Sequence, residues 1–302
     1  MRCTKRSSND LGSQKIRSLF LVRRFGKYPT CPRCNSDRIY RTDSEGFRCR
    51  KCWSFFGLRT GTFLAKKRIP LRLWYEIAYG FATSQPAYRL QKILKVEDYR
   101  TIYGGYNTIR EALVQNSQKE FGELKFTGTT EVDESYYGGK FRNLRKEIRW
   151  RFRRLGLAKS GRGAKFRKQP VFGIYQRNGK IYLELIPDAQ KKILEKIIRK
   201  RIEEGGEVFS DKHTGYKGLV GLGYDHQTVN HGKEEYTNGR IHINGMEGFW
   251  GLSKTNMQSY KGIRKKNWKK YLKEMEFRYN YRSLEYDNLT LKIIEVLCQK
   301  ID

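Results

Sequence analysis

Cysteines and carboxylates are the residues of this chain whose types and spacing can do chemistry. Four of the six cysteines stand in two C-x-x-C pairs, CPRC at 31–34 and CRKC at 49–52, with fourteen residues between them. Each pair makes a tight knuckle that aims two thiolates at one point, which is zinc-ribbon spacing. Cys31, Cys34, Cys49 and Cys52 are therefore expected to hold one structural Zn²⁺, because four thiolates close the coordination sphere. A redox pair is the competing use of a single C-x-x-C, and two pairs at this separation argue against it. Arg33, Arg48 and Lys51 give the ribbon a basic exterior suited to DNA.

The second constellation is acidic. Asp133 lies in KFTGTTEVDESYYGG, Asp211 ends EVFSD, and Glu247 stands in HINGMEGFWGLSK among apolar, small and amide residues. At 3.6 residues per turn, Glu247, Trp250 and Lys254 fall along one helical face, so a carboxylate and an ammonium share a stripe. His242 and Asn244 precede this helix, and capping is the ordinary task for such an asparagine. Glu131 and Glu134 are local rivals of Asp133; on a strand Glu131 and Asp133 share a face while Glu134 points away. Converging carboxylates repel, so their clustering calls for hard divalent cations, two Mg²⁺ or Mn²⁺ ions. Such a pair suits in-line displacement at a phosphodiester. Lys254 would meet a phosphate, and Trp250, for which core packing is the ordinary role, would pack beneath it or wedge against a base.

The elements that must position these groups can be read from periodicity. Residues 1–27 form an N-terminal helical segment and 28–62 the ribbon. Residues 68–120 carry three short helical patterns with tight connections, a helix-turn-helix-like DNA-binding region that presents Arg100, Tyr103, Asn107 and Arg110. From 124 to 282 the order is strand, hairpin through Asn178 and Gly179, helix, strand, strand and the helix of Glu247, an α/β domain on a mixed sheet. Its basic insertion, 140–168, is a solvated run that could order on DNA, with Arg151, Arg153, Arg154, Arg162, Lys165, Arg167 and Lys168 as contacts; within it RLGLAKSGRGAKFRK lacks a sustained apolar period and reads as a flexible arm along the DNA backbone. Residues 283–302 close the chain as a helix. Lys and Arg number 63 against 31 Asp and Glu, a net charge of +32. Such an excess calls for a polyanion and points to nucleic acid. No apolar run approaches the roughly 20 residues of a membrane span, and SLFLVRRFG is too short and too basic for a signal peptide.

CPRC with CRKCW, VDESYYGGK, GRGAK, VFGIYQRNGK, SDKHTGY, VNH and HINGMEGFWGLSK, followed by YLKEMEFRYNYR, together resemble the zinc-ribbon insertion-sequence DDE transposases of the ISXO2-like family, related to the eukaryotic Merlin elements. The resemblance covers most of residues 28 to 282. It implies an RNase H-like (retroviral-integrase-like) catalytic domain, Mg²⁺ dependence, terminal inverted repeats as substrate and cut-and-paste movement by a multimeric complex on double-stranded DNA. Carried over by position, the triad falls on Asp133, Asp211 and Glu247, with Lys254 as the basic residue seven positions on. Some relatives have asparagine in the third place, which makes Asn244 the rival of Glu247. The alternative from another class is a catalytically silent DNA-binding regulator. A bacterial source would place the chain in the cytoplasm, a eukaryotic one in the nucleus.

Overall fold

The computed structural model describes residues 12–42, 46–65, 67–138, 144–156, 168–229, 242–260 and 262–301. These divide into two compact units, Met1–Asn116 with Tyr281–Asp302, and Ser117–Asn280.

In the first unit, helix α1 (Ser13–Phe25) precedes a small antiparallel sheet of β1 (Ile39–Arg41), β2 (Phe47–Cys49) and β3 (Phe55–Phe56). Phe25 packs edge-on against Phe47 and tilted against Phe56, covering the inner face of that sheet. The four cysteine sulfurs converge within 4.8 Å of one another. Both knuckles are built alike: Asn35 N–H donates to the Cys31 carbonyl and Trp53 N–H to that of Cys49, each at 2.9 Å. Helices α2 (Leu71–Ala82), α3 (Ala87–Leu94) and α4 (Tyr99–Glu120) follow. The third is not short as expected but runs for 22 residues. Gly105 lets it lie close on Ile77, where a Cβ would meet the isoleucine at 2.9 Å. The closing helix α9 (Tyr286–Leu297) packs on α2 and α1. Its Ile293, Ile294 and Leu297 are buried, as are Trp74, Ile77 and Phe81 of α2.

The second unit is a five-stranded mixed sheet. Strand β4 (Thr129–Tyr137) is central, β5 (Gln169–Gln176) and β6 (Ile181–Leu185) add antiparallel on one side, and β7 (Glu207–Asp211) and β8 (Asp225–Val229) add parallel on the other. The antiparallel neighbours are joined by the hairpin, with Asn178 at φ 57° supplying the left-handed turn residue. The parallel step from β6 to β7 needs a crossover, and α6 (Lys191–Arg201) provides it. Alternation along β5 sends Phe172 and Ile174 to the face covered by Leu194 and Ile198 of α6. Val171 and Tyr175 go to the opposite face. There they meet Met246, Phe249 and Trp250 of α7 (Asn244–Ser259) and Leu272 and Met275 of α8 (Trp268–Asn280). Burying each such side chain stabilises the sheet by about 1.5–3 kcal/mol.

Most of the stretch expected to be an arm, RLGLAKSGRGAKFRK, lies outside the described residues. Lys146–Arg154 forms a helix, α5, none of whose residues is buried. Five of its nine residues are Lys or Arg.

Candidate metal and DNA site

Strand β4 carries acids on both faces. Its last pairing with β7 is Glu131 with Phe209, and two residues further along each strand stand Asp133 and Asp211. One oxygen each from Asp133, Glu134 and Asp211 lie within 4.8 Å of one another. Asp133 accepts the Glu134 N–H at 2.8 Å and the Trp250 indole N–H at 2.9 Å, and Asp211 accepts the His213 N–H at 2.9 Å. The Glu134 side chain is 6% exposed with His213 Nδ1 3.9 Å away; the buried Tyr216 hydroxyl lies near it, but its Oε1 accepts no well-formed hydrogen bond among the described residues. Burial, reinforced by Asp211 and Glu247, raises the Asp133 carboxyl to about 6 despite its two donors. Burial, with Asp133 and Asp211 nearby, raises Glu134 to about 8. An oxygen-only donor set with an orphaned buried carboxylate oxygen fits a hard divalent cation.

Glu134 is the member that strand alternation misjudged. It does sit on the face away from Glu131 and Asp133, with Val132 of the α6 side for a neighbour, but its longer side chain brings a carboxylate oxygen into the cluster.

Helix α7 is fastened to β4 at two points. Glu131, 1% exposed, accepts the Met246 N–H at 2.9 Å on Oε2 and the Arg177 Nε–H at 2.9 Å on Oε1. It thus does the work expected of Asn244: Asn244 is the first helical residue, and the residue before it, Ile243, makes no side-chain cap. A carboxylate at this end also meets the positive pole of the helix dipole. Arg177, lying 4.4 Å over the Phe209 ring, donates to the His242 carbonyl at 2.6 Å and so ties down the approach to the helix. One turn further on, Trp250 reaches Asp133 because Gly173 pairs opposite that aspartate. A Cβ at Gly173 would lie 2.8 Å from the indole Cζ2 and collide with the Met246 methyl.

This docking overturns Trp250 as a DNA contact: the indole is 4% exposed, wedged among Tyr137 and Phe249 with its N–H spent on Asp133. Glu247 and Lys254 are exposed on the same helix. Glu247 is outside the tight three-oxygen cluster but close enough to raise Asp133. Although its surface is exposed, Lys254 is lowered by partial desolvation, with Asp133 opposing and Lys168 adding to the shift, so Lys254 lies within electrostatic reach of both Asp133 and Lys168.

Of the other candidate DNA contacts, Arg33, Arg48, Lys51, Arg100, Tyr103, Arg151, Arg153 and Arg154 are exposed and Asn107 is half-buried. Arg110 is a correction. It follows Tyr106 by one helical turn, on the core side of α4, and is 3% exposed with its guanidinium over the Phe81 and Tyr106 rings. Arg162, Lys165 and Arg167 lie outside the described residues.

Residues 125–280 match the family model of the ISXO2-like transposase domain. Over 255 residues, 82% of this chain and 84% of the relative, the sequence is 24% identical to an uncharacterized protein in transposable element ISH50 of Halobacterium salinarum. It is 30% identical over 113 residues to an uncharacterized transposase-like protein of Haemophilus influenzae, covering 37% of this chain and 91% of that one.

Two outcomes follow from the geometry. Substituting Gly173→Ala should destabilise the protein by about 1–3 kcal/mol through overpacking and shift Trp emission as the indole leaves Asp133; an unchanged melt and spectrum would contradict the docking. The second concerns pH. Asp133 and Glu134 titrate at about 6 and 8 when folded against 3.8 and 4.5 ordinarily, so the folded state holds the extra protons. Their stabilising effect is complete below the ordinary values and is lost as pH rises through the folded ones. Relative to an Asp133→Asn/Glu134→Gln double variant, the metal-free protein should lose Tm between about pH 4 and pH 8, and Mg²⁺ should flatten the difference. Parallel pH profiles for the two proteins would refute this.

Proposed function

This chain belongs to the ISXO2-like transposase family, and on that premise we propose that it is a DDE transposase that binds the terminal inverted repeats of a mobile element, cleaves the DNA ends and joins the 3′ ends to target DNA. The observation that carries the reading is the convergence of Asp133, midway along β4, with Asp211, at the end of the adjacent parallel strand β7, and the helix of Glu247 and Lys254 hydrogen-bonded to Asp133 through Trp250. A mixed sheet with acids so placed supports assigning the second unit to the RNase H-like class.

Asp133 and Asp211 would hold divalent metal, with Glu247 as the third carboxylate. Bound there, two Mg²⁺ ions would supply an activated water or 3′ hydroxyl and stabilise the leaving oxygen of an in-line displacement. The protein's own residues do the positioning. Trp250 fixes one Asp133 oxygen and leaves the carboxylate oriented, while the Glu131 cap sets how far along β4 the helix of Glu247 sits. Lys254 and Lys168 take phosphates beside the carboxylates, each as a point charge. The four cysteines hold one structural Zn²⁺, and the exposed cations of the ribbon, α4 and α5 bind duplex DNA as counterions of its backbone. A dimer or higher oligomer would bring two ends together. No described helix is long and apolar enough to cross a membrane.

The test is Mg²⁺-dependent nicking of DNA carrying the element's ends. Asp133→Asn, Asp211→Asn and Glu247→Gln should each lower the rate by at least about a hundredfold, the scale of losing a preorganised transition-state contact, with DNA affinity unchanged. Nicking that survives Asp133→Asn and Asp211→Asn would remove the carboxylates from the chemistry. If only Glu247→Gln were active, the third position would pass to another residue.

A further inference from the structure

The two cysteine knuckles differ most in size at the position after the second cysteine, asparagine in one and tryptophan in the other. The residue after the second cysteine of each pair adopts the left-handed backbone conformation, Asn35 at φ 56° and Trp53 at φ 60°. Asparagine tolerates that region, whereas a bulky side chain there is an outlier. The tryptophan gains no burial in return, being 66% exposed. Phe55, two residues on, is 54% exposed. Its ring lies across Gly46, where a Cβ would collide with it, so one ring face is held against backbone.

Register extends the pattern. Tyr40 pairs with Arg48, and Arg48 pairs with Phe55, so these three side chains form a row across the sheet. Arg50 stacks over Tyr40 at 5.5 Å. The row lies on the opposite face from Phe47 and Phe56, which pack against Phe25. On this face the half-buried Tyr40 and the exposed Phe55 stand beside the exposed guanidinium groups of Arg48 and Arg50, and the exposed Trp53 follows β2 in the chain.

We propose that this outer face is a binding platform for unpaired DNA, with bases stacked on Phe55 and Trp53 and the backbone phosphates met by Arg48 and Lys51. Cations alone would serve a duplex, whose base faces are already stacked on one another. Flat exposed rings gain only from base faces that are free, and they accept any base. The excess of positive charge around the rings favours a polyanion over a protein surface. The proposal is independent of the carboxylate chemistry and concerns a different ligand from the duplex ends.

The experiment measures binding of the zinc-loaded full chain to labelled oligo-dT and to a mixed-sequence duplex of equal length at one salt concentration. Trp53→Asn copies the first knuckle, and Phe55→Thr keeps a strand-forming residue, so both variants should retain zinc content and Tm. Each should weaken oligo-dT binding by about fivefold or more, the scale of losing one stacked base, with duplex affinity changed by less than about twofold. Oligo-dT should also quench Trp emission less in Trp53→Asn than in the parent chain. Unchanged oligo-dT affinity in both folded variants would overturn the proposal, as would equal losses for single strand and duplex. Loss of self-association without loss of oligo-dT binding would also overturn it and assign the face to a second copy of the chain.

Discussion

Crowding of carboxylates on one strand is the constraint around which the second unit is arranged. Oxygens of Asp133, Glu134 and Asp211 lie within 4.8 Å of one another while two of these groups are withdrawn from water. Like charges so placed in a medium of reduced dielectric are costly. The fold offsets part of that cost with donors: an indole N–H and a backbone N–H for Asp133 and a backbone N–H for Asp211. What the donors leave unmet, above all Glu134 Oε1, is suited to a cation.

The same strand also governs the helix on which the remaining functional groups ride. Glu131 and Asp133 share a face, and each takes a donor from α7, one from its first turn and one from its second. The spacing of two residues on a strand is thereby matched to four residues on a helix, so that the helix carrying Glu247 and Lys254 is held by hydrogen bonds to acids. Gly173 and Gly245 permit the approach; a Cβ at Gly245 would meet Glu131 Oε2 at 2.9 Å as well as the Tyr175 ring.

Local patterns were the legible part of the sequence. The cysteine spacing announced a four-sulfur cluster, the Asn178–Gly179 turn a hairpin, and the apolar spacing of Ile193, Leu194, Ile197, Ile198 and Ile202 an amphipathic helix; each depends on residues close in the chain. The return of α9 to α1 and α2 was not legible, because it rests on packing across more than two hundred residues. The cap of α7 was missed for the same reason: the carboxylate that performs it comes from β4. Arg110 was misread because charge suggests a surface, while helical phase decided its burial; for Trp250 the core reading holds and the DNA contact does not, because a nearby acceptor takes its indole N–H. Glu134 shows that alternation assigns a face to a side chain but not the reach of its terminal atoms. A signal for Trp250 did exist, since a glycine in the strand of VFGIYQ marks a place where another group comes close.

The most direct test of the account is to count divalent ions at the carboxylates. Mn²⁺ titrated into the zinc-loaded chain bound to a terminal-repeat duplex can be followed by electron paramagnetic resonance. The account expects about two bound ions and the loss of at least one in Asp211→Asn, with the DNA still bound. A parent complex that binds no more Mn²⁺ than an Asp133→Asn/Asp211→Asn double variant would contradict it.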